Sequence, residues 1–461
     1  MQRLSRHRHR LVMSAKERLP LVGALPQALR DPILLMERAA REHPGELAPI
    51  RLGPLTVYLA TRPEHFQHIL VEHWHNFGKS GGMWKPMQRL LGQGLATSEG
   101  ETWVRNRRLL QSLFSPRSLG RLTPTIVEGV EAFLATLQPL AGGVAPVDIE
   151  RAMNRLVQRV FSGLFFGVGL DGDEADRLTG AILQSFAALN LRLFFYYLPA
   201  WVPLPGERAL REGIAALDEA LYARIRERYR GGVDREDFVS LLVRARDAET
   251  GEAMDERQLR DELVTMFVAG NETTASALTW IFYALSQHPE AEARVRAEIR
   301  DVLGERRPAF EDLDRLSYTR MAIQEAMRLY PPAWFFPRAS VKEDVIGKVT
   351  VPARSLILLC PYITHRDPEL WERPLEFHPE RFAAEAAAEA ARRPRFAYMP
   401  FGAGPRQCIG GQLAMMELQI AVAMMLQRYR LRLAPGAVVV PKSSISLRTR
   451  QGVPMMIATA E

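Results

Sequence analysis

Residues 401–410 read Phe401-Gly402-Ala403-Gly404-Pro405-Arg406-Gln407-Cys408-Ile409-Gly410, and the chain continues as Gly-Gln-Leu-Ala-Met-Met-Glu-Leu-Gln-Ile-Ala-Val-Ala-Met-Met-Leu. Three glycines and a proline shape a tight loop around one cysteine, and the apolar run after it has the character of a helix. Glycine permits backbone geometries and close approaches that side chains block. The loop therefore delivers a sulfur close to a flat partner before entering the helix. The helix N-terminus and Arg406 are expected to favour a thiolate. A lone cysteine is ordinarily a small buried hydrophobe, a reading that leaves the glycine and arginine spacing unexplained.

The pattern Phe-x-x-Gly-x-Arg-x-Cys-x-Gly resembles the haem-binding loop of the cytochrome P-450 family at every fixed position. The resemblance implies a mainly α chain: a single helical prism enclosing haem b, with a small β-rich lobe. It makes Cys408 the thiolate ligand of the iron, with Phe401, Arg406 and Gly410 shaping the cofactor loop.

A second stretch agrees. The longest candidate helix, residues 259–288, is about 45 Å long at roughly 1.5 Å per residue and carries Ala269-Gly270-Asn271-Glu272-Thr273-Thr274 in its middle. A mid-helix glycine costs about 1 kcal/mol relative to alanine, and a buried acid needs a partner or a water. The stretch resembles the family's Gly-x-Glu/Asp-Thr-Thr motif. There Ala269 borders the substrate, Gly270 lets the cofactor lie against the backbone, Thr273 offers its hydroxyl to dioxygen, and Glu272 sits on the proton route from solvent.

Residues 101–110 open a further helix in which Trp103 and Arg107 share a face. In the family this pair reaches a haem propionate, although Asn106 stands where histidine is common. Glu325 and Arg328, three apart, also share a face. With Arg381 of Pro379-Glu380-Arg381-Phe382 they resemble the family's buried Glu-Arg-Arg clamp, in which two arginines satisfy one carboxylate. Arg338 matches a propionate-binding position, and Ala333, Trp334 and Phe335 would approach the substrate. The segment His365-Arg366-Asp367 lacks the glycine loop, paired lysine and Asp-Phe-Gly of a protein kinase. Residues 365–382 look like the branch typified by membrane-bound eukaryotic members and self-sufficient fatty-acid hydroxylases, although neither a membrane anchor nor a fused flavin domain is expected here.

Elsewhere the reading is coarser. Residues 32–43 have helical spacing, 48–60 suggest a hairpin turning at Gly53-Pro54, and 78–100 read as a long irregular loop. Helices are expected over 127–170, 173–198 and 207–229, and strands near 334–339 and 349–359. The aromatics Phe194, Phe195, Tyr196, Tyr197 and Trp201 form either core or membrane-facing surface; in the resembled fold they lie where a lid covers the substrate channel. Residues 383–393 are a low-complexity surface insert, expected to be helical.

Composition sets limits. Of 461 residues 47% are hydrophobic and 25% charged, ordinary for a globular chain with a large core. Two cysteines, Cys360 and Cys408, exclude a disulfide scaffold and fit a reducing compartment; Cys360 reads as a small buried apolar residue. The net charge is +7, yet only six of the 60 basic residues are lysine. No zinc spacing, aromatic RNA-binding signature or basic zipper supports nucleic-acid binding. Residues 1–18 are expected to be a disordered basic arm and 19–461 one domain. The arm lacks a signal-peptide core, and no stretch offers the roughly 20 apolar residues of a membrane span. A cytoplasmic monomer is expected.

The implied reaction inserts one atom of dioxygen into a hydrophobic molecule by hydroxylation or epoxidation. Electrons would come from a ferredoxin or flavodoxin with an NAD(P)H-dependent reductase, docking on a basic face that includes Arg107, Arg108, Arg392, Arg393 and Arg395. A haem-thiolate isomerase or dehydratase, and a haem sensor or electron carrier, are the alternatives; the intact Glu272–Thr273 pair leans against both.

Overall fold

The computed structural model describes residues 22–460, except 80–83, 168–184, 186–188, 190–191, 193–197, 199–200, 203, 232–236, 248 and 384–392. The basic arm, most of the aromatic run and most of the 383–393 insert lie outside the described residues.

The β lobe grows from the hairpin read in the sequence. Strands β1 (Ala48–Leu52) and β2 (Leu55–Ala60) pair antiparallel with Leu52 opposite Leu55. Gly53 supplies the positive φ of the turn, at +61°, where a Cβ would be strained. Strands β3 (Phe77–Gly78), β4 (Phe336–Ser340) and β7 (Leu356–Leu359) complete a five-stranded sheet in the order β1-β2-β7-β4-β3, with β2 and β7 parallel. Between β4 and β7 the chain makes a hairpin of β5 (Asp344–Ile346) and β6 (Val349–Val351). Ile357 and Leu359 of β7 pack with Phe66, Ile69, Leu70 and Phe77 into a second, smaller core.

The helical body carries the larger core. Helices α1 (Gly100–Gln111), α2 (Pro116–Leu137), α3 (Ile149–Phe166) and α4 (Glu207–Tyr229) precede the 32-residue helix α5 (Glu256–Gln287), about 48 Å long. Asp255 caps α5 by accepting from the Gln258 amide, and Pro289 follows its end, as start and stop signals require. Helix α6 (Ser317–Leu329) holds Glu325 and Arg328, and α7 (Gly411–Arg428) follows the cysteine loop. From Leu413 to Leu426, α7 is buried almost all round, as its unbroken apolar sequence demands. No helix among the described residues is long and apolar enough to cross a membrane.

One element differs from the sequence reading. Within 78–100, expected as irregular loop, Trp84–Leu91 forms a helix that buries Leu90 and Leu91. Its amphipathic spacing is only two turns long and is masked in sequence by the flanking glycines.

Candidate functional site

The cysteine loop is built by close backbone packing. Gly402 and Gly404 adopt φ of +72° and +71°, and a Cβ on Gly404 would lie 1.9 Å from the Leu70 carbonyl oxygen. Only glycine satisfies both constraints. The Cys408 amide donates to the Phe401 carbonyl at 2.9 Å and the Gln407 amide to that of Gly404 at 3.0 Å. These bonds close the loop and turn the sulfur toward α5.

Between the loop and α5 lies a cavity of about 400 Å³. Cys408, Phe401, Arg406 and Gly410 line one side; Ala269, Gly270, Thr273 and Ala277 line the other. Trp103, Arg107, Arg338 and Ala333 complete it, with Phe161, Phe165 and Phe238 as an aromatic wall. Fourteen of the sequence candidates, from six separate stretches, thus meet in one hollow or in the clamp beneath it.

The cavity's electrostatics are lopsided. Lys79, Arg107, Arg338 and Arg406 face it, whereas the nearby carboxylate Glu99 is committed to Arg406 Nη2 at 2.6 Å. Arg338 is 6% exposed, and its guanidinium donates to the carbonyl of its own neighbour Pro337. Burial pushes its pKa down to about 10, with the Arg406 charge adding to the effect. Burial likewise holds Lys79 well below its usual value, with Arg338 and Arg406 adding to it. A buried charge requires a counter-charge, so the wall fits a ligand bearing carboxylates. The shape between sulfur and helix, the cationic rim and the apolar lining together fit a flat dianionic porphyrin.

Burial pushes the Cys408 thiol above its usual range, against the Gly410 amide and the charges of Arg107 and Lys79. The expected thiolate preference of the bare loop is therefore corrected. Arg406 is neutralised by Glu99 and stacks 4.3 Å over Trp103, and the sulfur's exposed surface opens onto the cavity rather than bulk water. A coordinated metal deprotonates a thiol outright, so a bound cation, and not the loop alone, would make the thiolate.

On α5, Thr273 Oγ1 donates to the Ala269 carbonyl at 2.6 Å, leaving its lone pairs toward the cavity. Gly270 is required for a reason the sequence concealed: a Cβ there would meet the Phe161 ring at 2.2 Å. Glu272, one residue round the helix from Thr273, does not line the cavity. It accepts from the Ser446 hydroxyl at 2.8 Å and faces a polar gap of about 10 Å³ shared with Glu150 and Arg448. Two substrate-facing expectations are also corrected. Trp334 is buried elsewhere because its indole N–H finds the Ser444 carbonyl at 2.9 Å, as a buried tryptophan must. Phe335 packs edge-on against that indole, and Phe336 lines the cavity in their place.

Below the loop, Arg328 donates Nε and Nη2 to the two oxygens of Glu325 at 2.7 and 2.8 Å. Its remaining donors reach the carbonyls of His365, Pro374 and Glu376. Arg381 adds a 3.3 Å contact to Glu325, and both members of the central pair are fully buried. His365 Nε2 then accepts the Met399 amide, so the clamp supports the segment that enters the cysteine loop.

Several contributors escaped the sequence reading. Lys79 and Glu99 carry no motif. Asn106 turns away from the cavity, donating to the Gln93 carbonyl and accepting from Gln258. Arg108, expected on a docking face, is paired with Asp247 and Glu249; Arg393 and Arg395 stack over Trp371 and Phe396, and Arg392 lies outside the described residues. Glu417, on α7, lines the cavity fully buried with both oxygens unbonded, and burial raises its pKa to about 8. The spacing of nine residues from Cys408 was its only sequence signal.

The family model described as Cytochrome P450 matches residues 13–453. Cyclooctat-9-en-7-ol 5-monooxygenase of Streptomyces melanosporofaciens is 36% identical, over 91% of this chain and 89% of that protein. Cyclooctatin synthase of the same organism is 34% identical, covering 93% and 92%, and pentalenene oxygenase of Streptomyces avermitilis 31% identical, covering 92% of each. The crystal structure of the cytochrome P450DA haem domain superposes with a TM-score of 0.87 at 25% identity, covering 96% of this chain and 97% of that one.

Proposed function

This chain belongs to the cytochrome P450 family, whose members hold a haem iron through a cysteine thiolate and act as monooxygenases, and we propose that it oxidises a rigid, largely hydrocarbon cyclic molecule of the terpenoid class. The carrying observation is the cavity itself, in which Cys408 faces Gly270 and Thr273 across a space walled by Phe161, Phe165, Phe238 and Phe336. Such a wall selects by shape and apolar contact and offers few hydrogen bonds to a polar substrate. The names of the bacterial relatives, which act on an unsaturated cyclic alcohol or bear the name of an alkene, favour the same class.

Cys408 would ligate the iron, and Lys79, Trp103, Arg107, Arg338 and Arg406 would hold the carboxylate edge. When bound, the haem supplies dioxygen activation and insertion of one oxygen atom into a C–H or C=C bond, with thiolate electron density favouring O–O cleavage. The chain's own part is water exclusion, orientation and proton supply. Thr273 Oγ1, its proton held by Ala269, would accept a proton and pass one on, and general acid–base work needs such a group within hydrogen-bond reach. The proton would enter past Arg448, whose side chain is 43% exposed, by way of Glu150, Ser446 and Glu272. The polar gap there has room for about one water. Electrons would come from a ferredoxin or flavodoxin served by an NAD(P)H-dependent reductase.

The test is spectral and then chemical. Reduced protein under carbon monoxide should show the shifted Soret band of thiolate-ligated haem, and Cys408→Ser should abolish it. Terpenoid hydrocarbons and alcohols, screened against fatty acids, should shift the ferric spectrum by displacing water; a response confined to fatty acids overturns the substrate class. Thr273→Ala should divert reductant to peroxide, and unchanged coupling would refute its role.

A further inference from the structure

We propose that His68, His73 and Asp344 form a binding site for one zinc-class divalent cation, outside the lining of the cysteine cavity, on the face where the 68–72 turn meets the β5–β6 hairpin. The turn is the first ground. Residues His68–Glu72 are π-helical, and the His73 amide donates to the His68 carbonyl at 2.9 Å. In an α-helix, residues five apart point about 140° away from one another. The wider turn brings them into line, so the two imidazoles stack with centroids 4.0 Å apart and planes at 24°. Single π turns are rare and concentrate at functional sites.

The second ground is the donor geometry. Asp344 opens β5 and presents Oδ1 3.2 Å from His68 Nε2 and Oδ2 3.3 Å from His73 Nδ1. A tetrahedral zinc ion with bonds of about 2.0–2.1 Å requires ligand atoms roughly 3.3 Å apart. The ligand atoms of all three residues lie within 4.8 Å of one another, so the ion needs only small side-chain rotations. The carboxylate is already held: Asn76 Nδ2 donates to Oδ2 at 2.9 Å and the Val345 amide to Oδ1 at 2.8 Å. Outer partners of this kind orient metal ligands.

Chemistry narrows the ion. Two imidazoles and one carboxylate suit zinc, copper or nickel and disfavour magnesium or calcium, which take oxygen ligands. His73 is about half exposed at 47%, which leaves a fourth position for water. A bound ion would staple the turn to the hairpin. The same turn supplies the Leu70 carbonyl that packs under Gly404, so the staple stands next to the cysteine loop without touching the cavity.

The experiment uses tag-free, haem-loaded protein, stripped with chelator, desalted and titrated with zinc chloride by calorimetry. One ion per chain should bind, magnesium should not, and Asp344→Asn and His73→Ala should each weaken zinc binding by about tenfold or more. Both variants should keep the wild-type carbon monoxide spectrum, which certifies folding. Zinc-soaked wild-type crystals should show an anomalous peak between His68 Nε2 and His73 Nδ1. Absence of stoichiometric binding, equal affinity in the variants, or a peak at other residues would overturn the site.

Discussion

Replacing Arg338 by methionine should stabilise the cofactor-free protein and weaken haem binding at the same time. The guanidinium is buried, its one observed hydrogen bond is to the adjacent Pro337 carbonyl, and its pKa is pushed from 12.5 down to about 10 by burial, then by Arg406, against the pull of Glu99. A depression of that size corresponds to roughly 3 kcal/mol, at 1.36 kcal/mol per pKa unit. The group is still protonated at pH 7, so the fold without cofactor carries that cost. Methionine of similar length removes the charge and keeps most of the packing, as substitutions of buried ions by apolar residues often do. Urea unfolding of apoprotein should therefore show a gain of about 1–3 kcal/mol, allowing for local relaxation. Haem binding, followed by Soret titration, should weaken by roughly tenfold to a hundredfold, the worth of a charge-assisted hydrogen bond of about 1.5–3 kcal/mol. Loss of apoprotein stability combined with unaltered haem affinity would refute the reasoning, because Arg338 would then be a satisfied structural residue.

Glu325→Gln should unload the clamp: Arg328 would keep its carbonyl partners but lose its buried counter-charge, a loss of about 3–5 kcal/mol visible as a lowered melting temperature and poor haem incorporation. Gly404→Ala should fail to form the cysteine loop, because it combines a strained positive φ with a clash on the Leu70 carbonyl; a normal carbon monoxide spectrum would contradict this. Glu417 makes stability pH-dependent in a definite direction. Its folded pKa of about 8 lies above its unfolded value, so folding takes up a proton, and stability falls as pH rises from about 4.5 to about 8 and is flat beyond. Glu417→Gln should make that decline shallower and leave the variant more stable than the wild type at pH 8, measured by urea unfolding across the range.

Legibility tracked the reach of the interactions. The α5 motif and the cysteine loop were readable because their constraints are local: a glycine at positive φ, a helix start, a threonine bonding its own preceding turn. The Glu325–Arg328 pair was readable for the same reason, since three residues along a helix fixes a shared face. The sequence reading went wrong where a group's partner lies far along the chain. Trp334 followed its N–H to Ser444 and Arg108 met Asp247, each pairing set by side-chain satisfaction across the fold.

The sequence by itself determined the family, the mainly helical architecture with its small β lobe, and the identity of the sulfur offered to the cofactor. Only the tertiary structure decided what surrounds that sulfur. Burial, which depends on every packed element at once, raised the thiol's pKa, left the Arg338 guanidinium without an ion-pair partner among the described residues because Glu99 is bonded to Arg406, and placed Phe161 against Gly270. It also brought His68 and His73 together with Asp344, about 270 positions away in the chain. Composition and spacing record which groups are present; desolvation and long-range pairing, which set their charge and reactivity, exist only once the chain has closed around them.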